Sequence, residues 1–175
     1  MALDTDRLRL LPFTPGHLRT LIEAPERFAE RFGHPLADGL QEFFTSGDVS
    51  PVWLAQLREA QDADPWVHGF AAVHRERGAV VGTGSFKGPP DADGAVEIAY
   101  GIAPGYQGQG YATEVARALL AVAAADARVR LVRAHTLPQP GPSPRVLERC
   151  GFAFAGTVDD PEDGPVWRWE RAPGA

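Results

Sequence analysis

A chain of 175 residues, 44% of them hydrophobic, can bury one complete core and is short for two ordinary domains, so a single domain over residues 1–175 is expected. Seventeen Lys and Arg stand against 23 Asp and Glu, a formal charge of -6, and no basic block offers itself to a nucleic-acid backbone, which argues against that partner and leaves cationic amines as a weakly favoured one. A lone cysteine, Cys150, rules out an intrachain disulfide or a cysteine metal cluster, the histidines lack zinc-helix spacing, and no long apolar run opens the chain, so a soluble, cytoplasmic, metal-free protein with no membrane contact is expected.

Arg7 to Leu11 alternates and ends at Pro12, which predicts a short strand. Thr14-Pro15 reads as an N-cap with proline at the first helical position, followed by Leu18, Leu21 and Ile22 at helical spacing up to Ala24-Pro25. Glu26 to Phe32 predicts a short helix stopped by Gly33, and Ser50-Pro51 predicts the cap of another, with Trp53, Leu54 and Leu57 on one stripe. Trp66 to His74 and Ala79 to Phe86 read as two strands of a hairpin turning at Arg75-Glu76-Arg77-Gly78. A turn-rich stretch from Gly88 to Gly94 precedes a strand from Ala95 to Ile102.

Thr113 to Ala125 is strongly helical, with Val115, Ala118, Leu119 and Val122 as its apolar stripe. Arg128 to Thr136 reads as a strand, and the four prolines between Leu137 and Pro144 impose irregular chain. Ser143-Pro144 predicts a cap for a helix from Arg145 to Cys150, ended by Gly151; Phe152 to Val158 and Val166 to Arg171 predict two closing strands. The sum is an α+β fold: a mixed, mainly antiparallel sheet of about six to seven strands with helices on both faces. The strand–helix–strand unit from Ala95 to Thr136 should cross over right-handed, making its strands parallel neighbours.

Gly105, Gly108 and Gly110 cluster just before the long helix, where backbone N–H groups lack partners and missing side chains admit a ligand. With the helix dipole, such amides suit a phosphate or pyrophosphate; the same glycines also fit a plain tight turn. Thr113 stands where a dinucleotide-binding turn needs its third glycine, and no Gly-Lys-Ser/Thr is present for a P-loop.

The loop Gln107-Gly108-Gln109-Gly110-Tyr111-Ala112 resembles the acetyl-coenzyme A signature Q/R-x-x-G-x-G/A of the GCN5-related N-acetyltransferase superfamily, through Gln107, Gly110 and Ala112. Glu97-Ile98-Ala99-Tyr100-Gly101-Ile102-Ala103-Pro104 before it, Asp4 to Leu10, and Arg145 to Phe152 resemble the branch of ribosomal-protein N-terminal alanine acetyltransferases. The resemblance is weakest from Ala24 to Pro65. It implies a V-shaped cleft between two splayed central parallel strands, in which Ile102 meets pantetheine and polarises the thioester through a backbone N–H, while Gln107, Gly108, Gln109, Gly110, Tyr111, Ala112 and Thr113 hold the pyrophosphate of acetyl-coenzyme A.

What it further implies is direct acetyl transfer to a primary amine, a protein N-terminus or a small molecule, in a chain that by analogy with relatives can form a homodimer. A non-catalytic acyl-coenzyme A sensor is the alternative, and a nucleotide-phosphate binder a third reading. The attacking amine must lose a proton. Glu97 and His135, on the two strands flanking the cleft, are the candidate bases, and each also fits a structural role: a solvent-facing strand residue and a hydrogen-bonded histidine. The superfamily often has an asparagine and a tyrosine where this sequence carries Pro140 and Leu147, which leaves the acid role to the Ser143 hydroxyl, to solvent or to the thiol itself. Cys150 reads as a packed small residue. Phe28, Phe32, Trp53 and Trp66 read as core aromatics first and acceptor-pocket residues second.

Overall fold

A computed structural model of the chain describes residues 1–45 and 51–175. Ser50, the expected helix cap, lies outside the described residues. Eight strands among them form one sheet in the order β1-β2-β3-β4-β5-β6-β8-β7. They are β1 (Leu3–Asp4), β2 (Leu8–Pro12), β3 (Phe70–His74), β4 (Val80–Phe86), β5 (Ala95–Ile102), β6 (Leu131–Thr136), β7 (Ala153–Asp160) and β8 (Gly164–Arg171). The sheet exceeds the six to seven strands expected because Leu3–Asp4 is too short to show a pattern yet pairs with β2.

Every pairing is antiparallel except β5 with β6, which run parallel. A helix joins these two, as the crossover rule requires. The helices are α1 (Pro15–Glu23), α2 (Phe28–Phe32), α3 (Glu42–Thr45), α4 (Pro51–Glu59), α5 (Pro65–His68), α6 (Tyr111–Ala125) and α7 (Pro142–Arg149).

Side-chain alternation divides the molecule into two cores. In β3, Phe70 and Ala72 face one core, with Val115 and Leu119 of α6 and Leu147 of α7. Ala71 and Val73 face the other, with Leu18 and Leu21 of α1, Phe28 of α2 and Leu57 of α4. A strand buried on both faces reads as a continuous apolar run, which Phe70 to Val73 is. Helix α6 lies close on the sheet: a Cβ at Gly84 would come within 2.7 Å of Val115 Cγ1.

Thr14 caps α1 as expected, its hydroxyl accepting from the His17 backbone N–H while His17 Nδ1 accepts from that of Thr14. This is a capping box with imidazole in the usual Glu/Gln place. Gly33, at φ 92°, ends α2 in the left-handed region. Two expectations fail locally. Trp66 is helical, not extended, because Asp64 accepts from the Trp66 N–H and Pro65 starts α5; the strand begins only after Gly69, at φ 70°. Ser143 is not a cap either: α7 starts at Pro142 behind an uncapped Gly141, and Ser143 lies inside its first turn.

Candidate active site

The cleft follows from the register of β5 and β6. They pair only at Ala95–Leu131, Val96–Val132 and Glu97–Arg133. Beyond that point β6 continues alongside β8, while β5 stays on β4 from Phe86–Ile98 to Gly82–Ile102. From Ile98 onward β5 therefore has no strand on its second edge among the described residues. The N–H of Ala103 bonds back to Val81 and the carbonyl of Glu97 to Lys87, both on the β4 side. Hydrogen-bonding direction alternates along a strand, so the N–H groups of Ile102 and Tyr100 point the other way, into the V.

A cavity of about 630 Å³ fills this V and reaches the start of α6. Its walls are Tyr100 to Ile102 of β5, the loop residues Gln107, Gly108 and Gly110, Tyr111 to Thr113 of α6, and Ser143, Arg145 and Arg149 of α7. Gly108 and Gly110 have φ of 75° and 88°, a backbone that only glycine adopts without strain. Gly110 is the N-cap of α6 and offers no side-chain oxygen to its first turn, so those amides keep their capacity for an anion. The Thr113 hydroxyl is buried on this cavity wall without a hydrogen-bond partner among the described residues. A buried hydroxyl of this kind points to a ligand that completes it, and bare amides, glycines, a hydroxyl and two arginines together fit a diphosphate-bearing carrier.

The eight expected cofactor residues take different stations. Ile102, Gly108, Gly110, Ala112 and Thr113 line the cavity directly. Gln107 lines it too, but its amide donates to the Ile102 carbonyl at 3.0 Å and ties the loop to the strand end. Tyr111 is buried, with its hydroxyl 3.0 Å from His74 Nε2 and its ring under the Arg7 guanidinium at 4.1 Å. His74 Nδ1 accepts from the Arg77 N–H, so in the neutral imidazole it is Nε2–H that donates to Tyr111. The side chain of Gln109 is exposed and turns to the Gly105 carbonyl at 3.4 Å, away from the cavity.

Of the expected catalytic residues, Ser143 lines the cleft and its Oγ lies 3.1 Å from the Tyr100 hydroxyl. Burial pushes the Tyr100 phenol above its usual range, against the lowering effect of Ser143. Glu97 and His135 meet at the vertex of the V. His135 Nδ1 lies 2.8 Å from Glu97 Oε1, Lys87 Nζ lies 3.0 Å from the same oxygen, and Arg168 Nε donates to His135 Nε2 at 3.0 Å. A guanidinium can only donate, so Nε2 is an acceptor; the imidazole is then neutral and gives its Nδ1 proton to Glu97. Its one lone pair is occupied. Neither residue lines the 630 Å³ cavity.

Cys150 is buried, its thiol pushed up in pKa by that burial, with Sγ 3.9 Å from the Thr113 carbonyl. Leu147 is core. Sequence reasoning did not single out Tyr100, Arg145, Arg149, Lys87 or Arg168. The two α7 arginines stand four apart, a spacing that shares a helix face and was readable.

A second cavity, of about 420 Å³, opens on the opposite face of the sheet beside β4. Phe43 borders both cavities. Its ring lies over Gly101, where an added Cβ would come within 2.8 Å of it. Trp53 lines this second cavity, whereas Phe28 and Phe32 pack with the core around Phe13, and Trp66 packs on Phe86 at 4.5 Å.

Known proteins agree with this geometry. The family model for the acetyltransferase (GNAT) domain matches residues 7–153. The ribosomal-protein-S5-alanine acetyltransferase of Vibrio fischeri superposes with TM-score 0.67 at 15% identity, over 99% of this chain and 97% of its own. RimL, a ribosomal L7/L12 α-N-protein acetyltransferase in complex with coenzyme A, superposes with TM-score 0.64 at 17% identity, over 98% of each chain. A spermidine N-acetyltransferase SpeG chimera from Vibrio cholerae and hSSAT gives TM-score 0.66 at 18% identity, over 97% of each. A search of curated protein sequences returns no match. With the family model spanning most of the chain and the splayed β5–β6 pair in place, the protein belongs to the GNAT acetyltransferase family and is an acyltransferase.

Proposed function

We propose that the chain transfers an acetyl group from acetyl-coenzyme A directly to a primary amine in the V between β5 and β6. The observation that carries this reading is the conjunction, in one cavity, of the uncapped α6 N-terminus with the unpaired edge of β5. Acetyl-coenzyme A, the family's donor, supplies an activated thioester carbonyl when bound.

The residues of this chain divide the remaining work. Amides from Gly108 to Thr113 would hold the diphosphate, with Arg145 and Arg149 adding charge from α7 and the Thr113 hydroxyl a further hydrogen bond. The outward N–H groups of Tyr100 and Ile102 would pair with the pantetheine arm and stabilise the oxyanion that develops during attack. Tyr100, a phenol whose pKa burial pushes further up and which Ser143 holds, would give a proton to the departing sulfur.

Glu97 is the candidate proton acceptor, with His135 as its positioning partner. Five residue-to-residue steps of strand separate Glu97 from Ile102, about 16 Å at roughly 3.3 Å per residue, so an amine attacking near Ile102 is out of direct reach and its proton must pass through water. That distance makes Glu97 a terminal proton acceptor in place of a contacting base.

Release of thiol from acetyl-coenzyme A, measured against a panel of amines, tests the reading. Acetylated product with Gly110→Glu inactive is the expected result. Tight coenzyme A binding with no turnover on any amine would leave a sensor in its place.

A further inference from the structure

Resting on the amine-transfer reading, we infer that the 420 Å³ cavity beside β4 receives an apolar, preferably aromatic, substituent of the acceptor amine, and that the enzyme disfavours polyamines. The cavity walls are Phe13, Phe44, Trp53 and Val67, with the Thr83 and Ser85 side chains along β4. Among the described residues no carboxylate lines it. Among these residues the acidic character of the chain as a whole is thus not expressed, and they would give a polycation entering here no counter-charge for the hydration it surrenders.

Position argues for an acceptor pocket over a packing defect. Thr83 pairs with Gly101 and Ser85 with Ala99 in the β4–β5 register, so the cavity floor is the strand next to β5. Gly101 has no side chain, and Phe43 rests on it. The same Phe43 borders the cofactor cleft. It is 45% exposed, a large ring left in solvent at the junction of two cavities. An amine bound with its apolar group among Trp53, Phe44 and Phe13 can therefore present its nitrogen past Phe43 and Gly101 to the open edge of β5. The volume falls within the range of small-molecule sites, whose walls are mostly apolar with a few polar groups to orient the ligand; Thr83, Ser85 and His68 are those groups here. An amino-terminal phenylalanine of a peptide and a free arylalkylamine share this chemistry.

The test compares 2-phenylethylamine and the tripeptide Phe-Ala-Ala with spermidine, methylamine and Asp-Ala-Ala in the wild type, Val67→Trp and Trp53→Ala. Val67 is a partly exposed residue on α5, so a larger ring there fills the cavity from outside without entering the core. The aromatic amines should have the highest kcat/KM. Val67→Trp should raise their KM about tenfold or more, as shutting out a buried apolar group does, well beyond any change for methylamine, while coenzyme A affinity holds; Trp53→Ala should act in the same direction. The two aromatic substrates rank the small-molecule and peptide sources. Calorimetry of 2-phenylethylamine on the coenzyme A-loaded protein reads the pocket without turnover: binding lost in Val67→Trp upholds the pocket even if no amine is acetylated. Preference for spermidine, or aromatic amines indifferent to Val67→Trp, overturns it even where acetyl transfer is observed.

Discussion

The hydroxyls of Tyr100 and Ser143 stand 3.1 Å apart, one on β5 and the other in the first turn of α7, on the wall of the same cavity. Two elements far apart in sequence thereby bring two hydroxyls together on the wall of the cleft, and on the proposed mechanism the phenol is the acid for the departing thiolate. General acids contribute roughly 10²–10⁴ in rate where they act. Tyr100→Phe keeps the ring and removes the proton, and should lower kcat at least about tenfold with coenzyme A affinity changed by less than about threefold. Ser143→Ala should give a smaller loss, because it only orients. Steady-state kinetics with calorimetry checks both; an unchanged kcat in Tyr100→Phe removes the phenol from the mechanism.

Glu97 is held between Lys87 and His135, and on the proposed mechanism it accepts the proton through water. If so, Glu97→Gln should slow the reaction by roughly tenfold at neutral pH and recover as the pH approaches that of the free amine's own ionisation. Coenzyme A affinity should not move. A pH–rate profile decides, since a loss constant across pH would mark a structural role for the carboxylate.

The cleft was legible in the sequence because it is local: glycines before a helix, a strand on either side, and a crossover of fixed hand. The parallel pairing of Ala95–Ile102 with the strand ending at Thr136 followed from that alone, and Glu97 and His135 fell together because both lie on it. What escaped was set by contacts between distant segments. Trp66 to His74 alternates well enough to read as one strand, yet Asp64-Pro65 is a helix start and Gly69 a break, and local capping overrode the period. Tyr100 looked like any strand aromatic until α7 brought Ser143 to it. The second cavity needed Phe43, Trp53 and β4 from three parts of the chain.

Gly110 separates a backbone requirement from a ligand requirement. At φ 88°, Gly110→Ala carries left-handed strain of about 1–2 kcal/mol, and its Cβ would lie 3.2 Å from Arg7 Nη2, the mobile end of a side chain. A modest loss of melting temperature is expected, with coenzyme A still bound. Gly110→Glu should lose the same stability and in addition weaken coenzyme A sharply, by putting an anion against the diphosphate. Gly105→Ala is the control: nothing among the described residues lies within 4 Å of a Cβ there, and neither stability nor affinity should change. Calorimetry showing equal coenzyme A affinity for Gly110→Glu and wild type would relocate the site.

Two histidines make the fold sensitive to mild acid. His17 Nδ1 accepts the Thr14 N–H and His68 Nδ1 accepts the Asp64 N–H, so both serve helix starts only when unprotonated. Burial lowers the pKa of each, with Arg31 adding to the effect on His17 and Asp64 opposing it on His68. In the unfolded chain a histidine titrates near 6.5. Below that value the unfolded state binds protons that the folded state refuses, so stability falls with pH. The contribution is full above about 6.5 and is lost as the pH drops through that value to the depressed folded pKa. Carboxylates with lowered pKa, Asp126 at about 2 among them, lose their contribution only at lower pH, below roughly 4, so the two effects separate on the pH axis. His17→Gln and His68→Gln keep an acceptor for the amide and remove the titration. Together they should flatten the dependence of melting temperature on pH between about 7 and 5, whatever they do to its absolute value; a slope as steep as the wild type's would assign the acid sensitivity to other groups.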